Sequence, residues 1–157
     1  MHIRHLHPTD IEMILPVMNQ WWGGREMTHL LPRYLFDHFH NTSYVIEYNN
    51  RLVGFIIGFL SQTEQQTAYI HLVGVDPAHR RKGIAQELYD KFFLQMNTCG
   101  IKEVRCITSP INKKSISYHT ALGFNIVPGD KSLDGVPVHS NYDGKGNERV
   151  LFRKALF

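Results

Sequence analysis

The stretch VGVDPAHRRKGIA, residues 73–85, decides the fold because it passes from an apolar strand into the first turn of a helix. Three cations, Arg80, Arg81 and Lys82, precede Gly83 at this junction. A helix N-terminus already carries about half a positive charge from its unpaired N–H groups, so added cations are unfavourable there unless an anion binds. The stretch therefore predicts an anion-binding loop between a strand and a helix.

The composition limits what that anion belongs to. The chain has 157 residues, of which 43% are hydrophobic and 20% are charged, so we expect a single globular domain over residues 1–157. Its net charge of +3 is small for a nucleic-acid-binding protein, so no nucleic-acid partner is expected. The phosphate-loop pattern GxxxxGK[ST] is absent, which disfavours ATP and GTP.

Three further patterns bear on metals, membranes and location. Cys99 and Cys106 lack metal-ligand spacing, and His38 and His40 stand two apart, so they point in different directions on a helix. The longest apolar run, LVGFIIGFL, is about half of the roughly 20 residues that a membrane span requires. The N-terminus MHIRHLHPTD lacks the apolar core of a signal peptide. We therefore expect a cytoplasmic protein with no metal and no membrane contact.

Hydrophobic periodicity predicts the element order β-α-α-β-β-β-α-β-α-β-β. The NNR segment at residues 49–51 predicts a hairpin, and apolar residues spaced three and four apart predict a helix from Lys82 to Asn97. The polar segment 128–148 is predicted to be one loop. This order predicts an α/β (α+β) fold with a mixed, mostly antiparallel seven-stranded sheet flanked by about four helices.

The element order and two motifs resemble the GCN5-related N-acetyltransferase (GNAT) family over essentially the whole chain. The family's first signature, Arg/Gln-x-x-Gly-x-Gly/Ala, is met by Arg80, Gly83 and Ala85. Its second signature, an asparagine before a short helix that ends in Leu-Gly-Phe, is met by Asn112 and the segment ALGF at 121–124. Either motif alone is weak, but the two in this order and spacing are a strong indication.

The resemblance implies acetyl-coenzyme A as the cosubstrate. Its pyrophosphate is expected on the backbone N–H groups of the loop, and its pantetheine beside the preceding strand. A backbone N–H near Val73 is a candidate donor to the thioester oxygen. Gly74 indicates either close approach of another backbone or tight packing. The expected cofactor-binding residues are Val73, Gly74, Val75, Arg80, Arg81, Lys82, Gly83, Ile84, Ala85, Asn112 and Ser115.

The catalytic positions depart from the family pattern. Alignment on Leu-Gly-Phe puts His119 where the family usually has its general-acid tyrosine, and Tyr118 falls one residue earlier. Both are candidates to protonate the leaving thiolate, while His119 can equally be a packing residue. Tyr69 matches the position of a glutamate base that some members use. His71, the next side chain on that strand face, is the candidate base, or else a structural histidine.

We therefore expect an N-acetyltransferase (EC 2.3.1 type) that acetylates a primary amine of a small molecule, peptide or protein by direct attack within a ternary complex. A non-catalytic acyl-coenzyme A sensor on the same fold is the alternative function, and a homodimer is compatible with the sequence. In this family the segment WWGGREMTHLL, residues 21–31, usually lies in the acceptor wall, and the loop 128–148 can close over it. The acceptor candidates are Trp21, Trp22, Arg25 and Glu26.

Overall fold

The computed structural model describes residues 1–157 as nine strands and four α-helices, joined by turns and short 3-10 helices. The strands are β1 (His2–His5), β2 (Tyr44–Tyr48), β3 (Arg51–Leu60), β4 (Thr67–Val75), β5 (Glu103–Thr108), β6 (Asn125–Ile126), β7 (Lys131–Leu133), β8 (Val136–Val138) and β9 (Val150–Ala155). The helices are α1 (Ile11–Trp21), α2 (Arg33–His38), α3 (Ile84–Thr98) and α4 (Lys113–Ala121).

Seven of the strands form one sheet in the order β1-β2-β3-β4-β5-β9-β6. The pairs β1–β2, β2–β3, β5–β9 and β6–β9 are antiparallel, whereas β4 and β5 are parallel. The predicted mixed, mostly antiparallel seven-stranded sheet with four helices is thereby confirmed. The predicted hairpin is also present, with Asn49 and Asn50 at its turn in the left-handed region.

The parallel register between β4 and β5 is short. It runs from the pair Thr67–Glu103 to the pair Tyr69–Arg105. Strand β4 itself continues to Val75, and β5 remains paired with β9 along its whole length. The second half of β4 therefore lies outside the β4–β5 register.

Two compact units make up the chain, one of residues 1–60 and 70–99 and the other of residues 61–69 and 100–157. Strand β4 contributes to both, with Thr67–Tyr69 in the second unit and Ile70–Val75 in the first. The expectation of a single domain stays a prediction.

The core of the first unit forms around α1. This helix buries Ile11, Ile14, Met18 and Trp21, which recur at spacings of three and four residues and so share one helix face. They pack with buried residues of α2, β2 and β3, among them Phe55, whose ring lies 6.1 Å from that of Trp21. Burial of this face fixes the end of α1, from which the segment 21–31 departs.

The segment 128–148 was predicted to be one loop, and this prediction is wrong. It contains the hairpin β7–β8, whose turn residues Asp134 and Gly135 have φ values of 52° and 80°. Asp-Gly with two positive φ angles is typical of a type I′ hairpin turn. Pro137 lies within β8, where a two-stranded ribbon tolerates proline because each strand has one edge without ladder bonds.

Candidate functional site

The loop between β4 and α3 presents backbone N–H groups at the start of a helix. Arg81 and Gly83 both adopt left-handed φ values, 63° and 78°. The helix therefore begins at Ile84 rather than at the predicted Lys82, and no side chain caps its first turn. A loop with left-handed residues, followed by a helix N-terminus without a side-chain cap, is an arrangement that binds anions such as phosphate.

Gly83 is required by its backbone conformation rather than by crowding. A Cβ atom at this position would meet no heavy atom within 4 Å. Arg81 and Lys82 beside it are exposed. The surface over the start of α3 is therefore open, and its nearby cations are accessible to an anionic ligand.

The side chain of Arg80 contacts the protein itself. Its Nη2 donates to the carbonyl oxygen of Trp21 at 2.6 Å, and its Nε donates to that of Val75 at 3.3 Å. Trp21 is the last residue of α1, where carbonyl groups lack intrahelical partners and cations are favourable. Arg80 thus joins the loop before α3 to the C-terminus of α1, and its predicted contact with the cofactor stays a prediction.

Gly74 has a direct explanation in packing. A Cβ atom there would lie 2.6 Å from Cη2 of Trp22 and 2.6 Å from Cε1 of Phe55. Real Cβ atoms essentially never approach this closely, so only glycine permits both rings to lie against β4. Trp22 follows α1 directly, so this packing is a second contact between the end of α1 and the strand that leads into the loop.

The predicted acceptor residues of segment 21–31 differ in their surroundings. Trp21 is a core residue with 5% of its surface exposed, whereas Arg25 is exposed. Glu26 accepts hydrogen bonds from the hydroxyl and, at 2.9 Å, the N–H of Thr28, and from the amide of Asn19 at 3.0 Å. Those from Thr28 are the main cause of a lowered pKa of Glu26. The carboxylate of Glu26 therefore organises the loop that carries it.

His71 is held by a backbone carbonyl. Its Nε2 lies 2.5 Å from the carbonyl oxygen of Leu30, in the turn Thr28–Leu30. Because a carbonyl can only accept, Nε2 carries the proton, and Nδ1 is the basic nitrogen of the neutral ring. His71 thus fixes β4 to the end of the segment 21–31 while keeping one nitrogen able to accept a proton.

In the second unit, α4 begins at an asparagine cap. The side-chain oxygen of Asn112 accepts a hydrogen bond from the N–H of Ser115 at 3.2 Å. This bond satisfies one of the free N–H groups at the start of the helix. Asn112 therefore caps α4, whereas cofactor contacts of Asn112 and Ser115 stay predictions.

The two candidate proton donors on α4 have different environments. His119 is 8% exposed, and its ring stacks on Phe152 at 5.0 Å and meets Phe124 edge-on at 5.3 Å. Its Nδ1 lies 2.8 Å from the carbonyl oxygen of Ser115, so Nδ1 carries the proton, and burial lowers the pKa of the ring. Tyr118, in contrast, is 36% exposed. His119 therefore packs among aromatic rings, whereas the proton-donor roles of His119 and Tyr118 stay predictions.

A polar row that the sequence analysis missed crosses four strands of the second unit. The registered pairs Tyr69–Arg105, Arg105–Arg153 and Arg153–Asn125 place these four side chains side by side on one face of the sheet. Glu103 interacts with both arginines, at 3.0 Å from Nη2 of Arg105 and 3.7 Å from Nε of Arg153. The sequence does show one arginine in the middle of each of two apolar strands. Only the register of β5 and β9 shows that these two arginines are neighbours.

No group of three or more His, Cys, Asp or Glu side chains is arranged to hold a metal ion. No helix is both long enough and apolar enough to cross a membrane.

A mixed seven-stranded sheet in which β4 and β5 are parallel, with a helix after β4 whose first turn has no side-chain cap, is the arrangement expected of the acetyltransferase fold class. The sequence profile of the acetyltransferase (GNAT) family matches residues 11–124, and the chain belongs to this family.

Two curated relatives are L-2,4-diaminobutyric acid acetyltransferases. That of Halalkalibacterium halodurans is 30% identical over 79 residues, which are 50% of this chain and 42% of the relative. That of Virgibacillus pantothenticus is 29% identical over 106 residues, 68% of this chain and 62% of the relative. The chain thus matches about half the length of these relatives.

Solved structures agree on the fold. Ard1 from Thermoplasma volcanium has a TM-score of 0.80 and 24% identity, with 99% of this chain and 97% of that chain covered. The diaminobutyrate acetyltransferase of Paenibacillus lautus, in complex with L-2,4-diaminobutyric acid and coenzyme A, has a TM-score of 0.70 and 21% identity, with 99% and 95% covered. A putative acetyltransferase from Salmonella typhimurium, with its cofactor acetyl-CoA, has a TM-score of 0.70 and 19% identity, with 100% and 94% covered.

Proposed function

We propose that this protein is an acetyl-coenzyme A-dependent N-acetyltransferase that acetylates a primary amine. The observation that carries the proposal is the loop before α3, where Arg81 and Gly83 are left-handed and the first helical turn has no side-chain cap. Such a loop suits the pyrophosphate of coenzyme A. A structural relative with acetyl-CoA as its cofactor supports the assignment.

The backbone of β4 is proposed to bind the pantetheine arm. Residues 70–75 lie outside the register with β5, so their main-chain groups are suited to pair with an extended ligand. In this proposal the N–H of Val73, or of a neighbour, donates to the thioester oxygen and stabilises the negative charge that develops there. Gly74 belongs to this stretch, and it also admits the rings of Trp22 and Phe55 against β4.

The reaction is proposed to be a direct transfer. The amine nitrogen attacks the thioester carbon, the new C–N bond forms, the C–S bond breaks, and the sulfur leaves as a thiolate. Nδ1 of His71 takes the proton that the amine loses, a role supported by the hydrogen bond that fixes the proton on Nε2. Tyr118 is proposed to protonate the thiolate, because neutral His119 has its only ring proton bonded to the Ser115 carbonyl.

L-2,4-diaminobutyric acid is the first acceptor to test, because the matched relatives carry this activity in their names. The test follows free thiol release from acetyl-coenzyme A with this diamino acid, with polyamines, aminoglycosides and single amino acids, and with peptides that have a free N-terminus. Thiol release that depends on one of these amines supports the proposal. Cofactor binding without amine-dependent thiol release contradicts it and favours the acyl-coenzyme A sensor.

A further inference from the structure

The segment 22–30 is joined to β4 by a continuous chain of three hydrogen bonds. The ring Nε2 of His71 donates to the carbonyl oxygen of Leu30 at 2.5 Å. The N–H of Leu30 donates to the carbonyl oxygen of Met27 at 3.0 Å, and the N–H of Met27 donates to Oδ1 of Asn19 at 2.8 Å. The chain therefore runs from a histidine on β4 to the last turn of α1, where it ends at the side chain of Asn19.

The orientation of the Asn19 amide is fixed from both sides. A backbone N–H can only donate, so the atom of Asn19 that faces the N–H of Met27 is the oxygen. Its Nδ2 donates to Oε2 of Glu26 at 3.0 Å, and Oε1 of Glu26 accepts from the N–H of Thr28 at 2.9 Å. The main-chain carbonyl oxygen of Asn19 also accepts from the N–H of Gly24 at 2.8 Å. Asn19 thus bonds directly to three residues of the segment and uses both ends of its amide.

Packing alone does not set the direction of the peptide groups in this segment. Gly23 and Gly24, at its start, have φ values of 68° and 88°, and a Cβ atom at either would meet no heavy atom within 4 Å. The side chains of Met27 and Leu30 pack against the core of the first unit. Apolar burial is non-directional, however, whereas a hydrogen bond has a preferred angle. The hydrogen-bonded chain therefore determines where the carbonyl groups point.

We infer that Asn19 is a positioning residue for His71. Through the chain, it holds the Leu30 carbonyl group that keeps the proton of His71 on Nε2 and leaves Nδ1 free to accept another. The inference rests on the proposed function, in which Nδ1 of His71 takes the proton that the amine loses. It gives Asn19, which belongs to neither family motif, a role in the reaction, and it involves residues of the first unit alone.

The experiment compares three changes in one pair of side chains. Asn19→Leu removes both hydrogen bonds of the amide at nearly constant volume. Asn19→Asp keeps an acceptor for the N–H of Met27 but sets a second carboxylate against Glu26. Adding Glu26→Gln to Asn19→Asp exchanges the amide and the carboxylate between the two positions, so an amide N–H again donates to a carboxylate oxygen. Gln20→Leu is the control, since it removes an exposed amide from the next residue of α1.

Two readouts are used on each variant. The first is the nitrogen NMR spectrum of the ten histidines in the protein without ligands, in which the two ring nitrogens of a neutral imidazole give separate signals. The signals of His71 are identified by their absence in His71→Gln. The second is the rate of thiol release in a single turnover at saturating amine, with coenzyme A affinity measured separately by calorimetry. Urea midpoints show which variants are folded.

In the wild type, the NMR signals should place the proton of His71 on Nε2. Asn19→Leu and Asn19→Asp should lower the ratio of the Nε2–H to the Nδ1–H tautomer by roughly 2- to 10-fold, the factor that the loss of one hydrogen bond supports. The single-turnover rate should fall in the same two variants, while coenzyme A affinity stays unchanged. The double variant should regain most of the tautomer ratio and of the rate, and Gln20→Leu should match the wild type.

The inference is overturned if folded Asn19→Leu keeps the wild-type tautomer ratio of His71, or if the wild type holds the proton on Nδ1. Equal tautomer ratios in Asn19→Asp and the double variant also overturn it, and this comparison decides alone should Asn19→Leu fail to fold. The NMR readout needs no turnover. A protein whose His71 tautomer follows Asn19 but which releases no thiol with any amine supports the positioning and contradicts the acetyltransferase reaction, so the two failures are distinguishable.

Discussion

Replacing Arg80 by Gln should destabilise the protein and weaken coenzyme A binding less than Arg81→Gln does, although Arg80 is the first residue of the loop signature. The substitution removes the guanidinium donor that bonds the Trp21 carbonyl at 2.6 Å and the Val75 carbonyl at 3.3 Å. A hydrogen bond to a charged group contributes about 1.5 to 3 kcal/mol. Because Arg80 is exposed as a whole, we take the lower end, about 1.5 kcal/mol.

That loss corresponds to a fall in melting temperature of roughly 3 to 6 °C for a domain of this size. The chain has two tryptophans, Trp21 and Trp22, and both lie where Arg80 contacts α1. Intrinsic fluorescence therefore reports directly on this contact. Urea unfolding followed by tryptophan emission should show a lower midpoint for Arg80→Gln and a changed emission of the folded state.

Arg81→Gln is the matched control. It removes the same charge from the next residue, whose side chain is exposed. It should leave the urea midpoint near that of the wild type. By calorimetry it should weaken coenzyme A binding and reduce the salt dependence of that binding, because an exposed cation acts on the phosphates through screened electrostatics. The reasoning is refuted if Arg80→Gln keeps the wild-type midpoint while losing more coenzyme A affinity than Arg81→Gln.

Three other substitutions test the packing and chemistry of the site. Gly74→Ala should cost about 1 to 3 kcal/mol of stability by overpacking against Trp22 and Phe55, and urea unfolding should show a smaller penalty in a Trp22→Leu background. The pKa of His119 is lowered by burial, so its contribution to stability is present above the unfolded-state pKa and is lost as the pH falls; His119→Phe should therefore lose less stability between pH 7 and pH 5.5 than the wild type does. Tyr118→Phe should lower the single-turnover rate on the order of 10²-fold with unchanged coenzyme A affinity, and a wild-type rate would assign the proton donor elsewhere.

The element order and the position of the loop before α3 could be predicted from local patterns. Strand and helix periods depend on neighbouring residues, and the run around Arg80–Gly83 combines a strand end, cations and a glycine within a few positions. The structure adds two details to this prediction. Arg81 has a left-handed φ, and α3 starts two residues later than predicted.

The features that escaped prediction depend on contacts between distant segments. To predict the role of Gly74, one must know that Trp22 and Phe55 lie against it. To predict the hydrogen bond of Arg80, one must know that the end of α1 lies beside the loop. The polar row exists only because β9 pairs with both β5 and β6, a register that no single strand's pattern specifies. For the same reason, burial of His119 could not be read from its position in α4.

The central claim is that the loop before α3 binds the pyrophosphate of coenzyme A, and calorimetry of coenzyme A with Gly83→Val tests it most directly. Gly100→Val is the control, because Gly100 also has a positive φ, 76°, with no heavy atom within 4 Å of its Cβ position. Both variants should lose about 1 to 2 kcal/mol of stability from the strained conformation. The account predicts that coenzyme A binds the wild type and Gly100→Val but not Gly83→Val. Equal binding by Gly83→Val and the wild type, or no binding by the wild type, would contradict it.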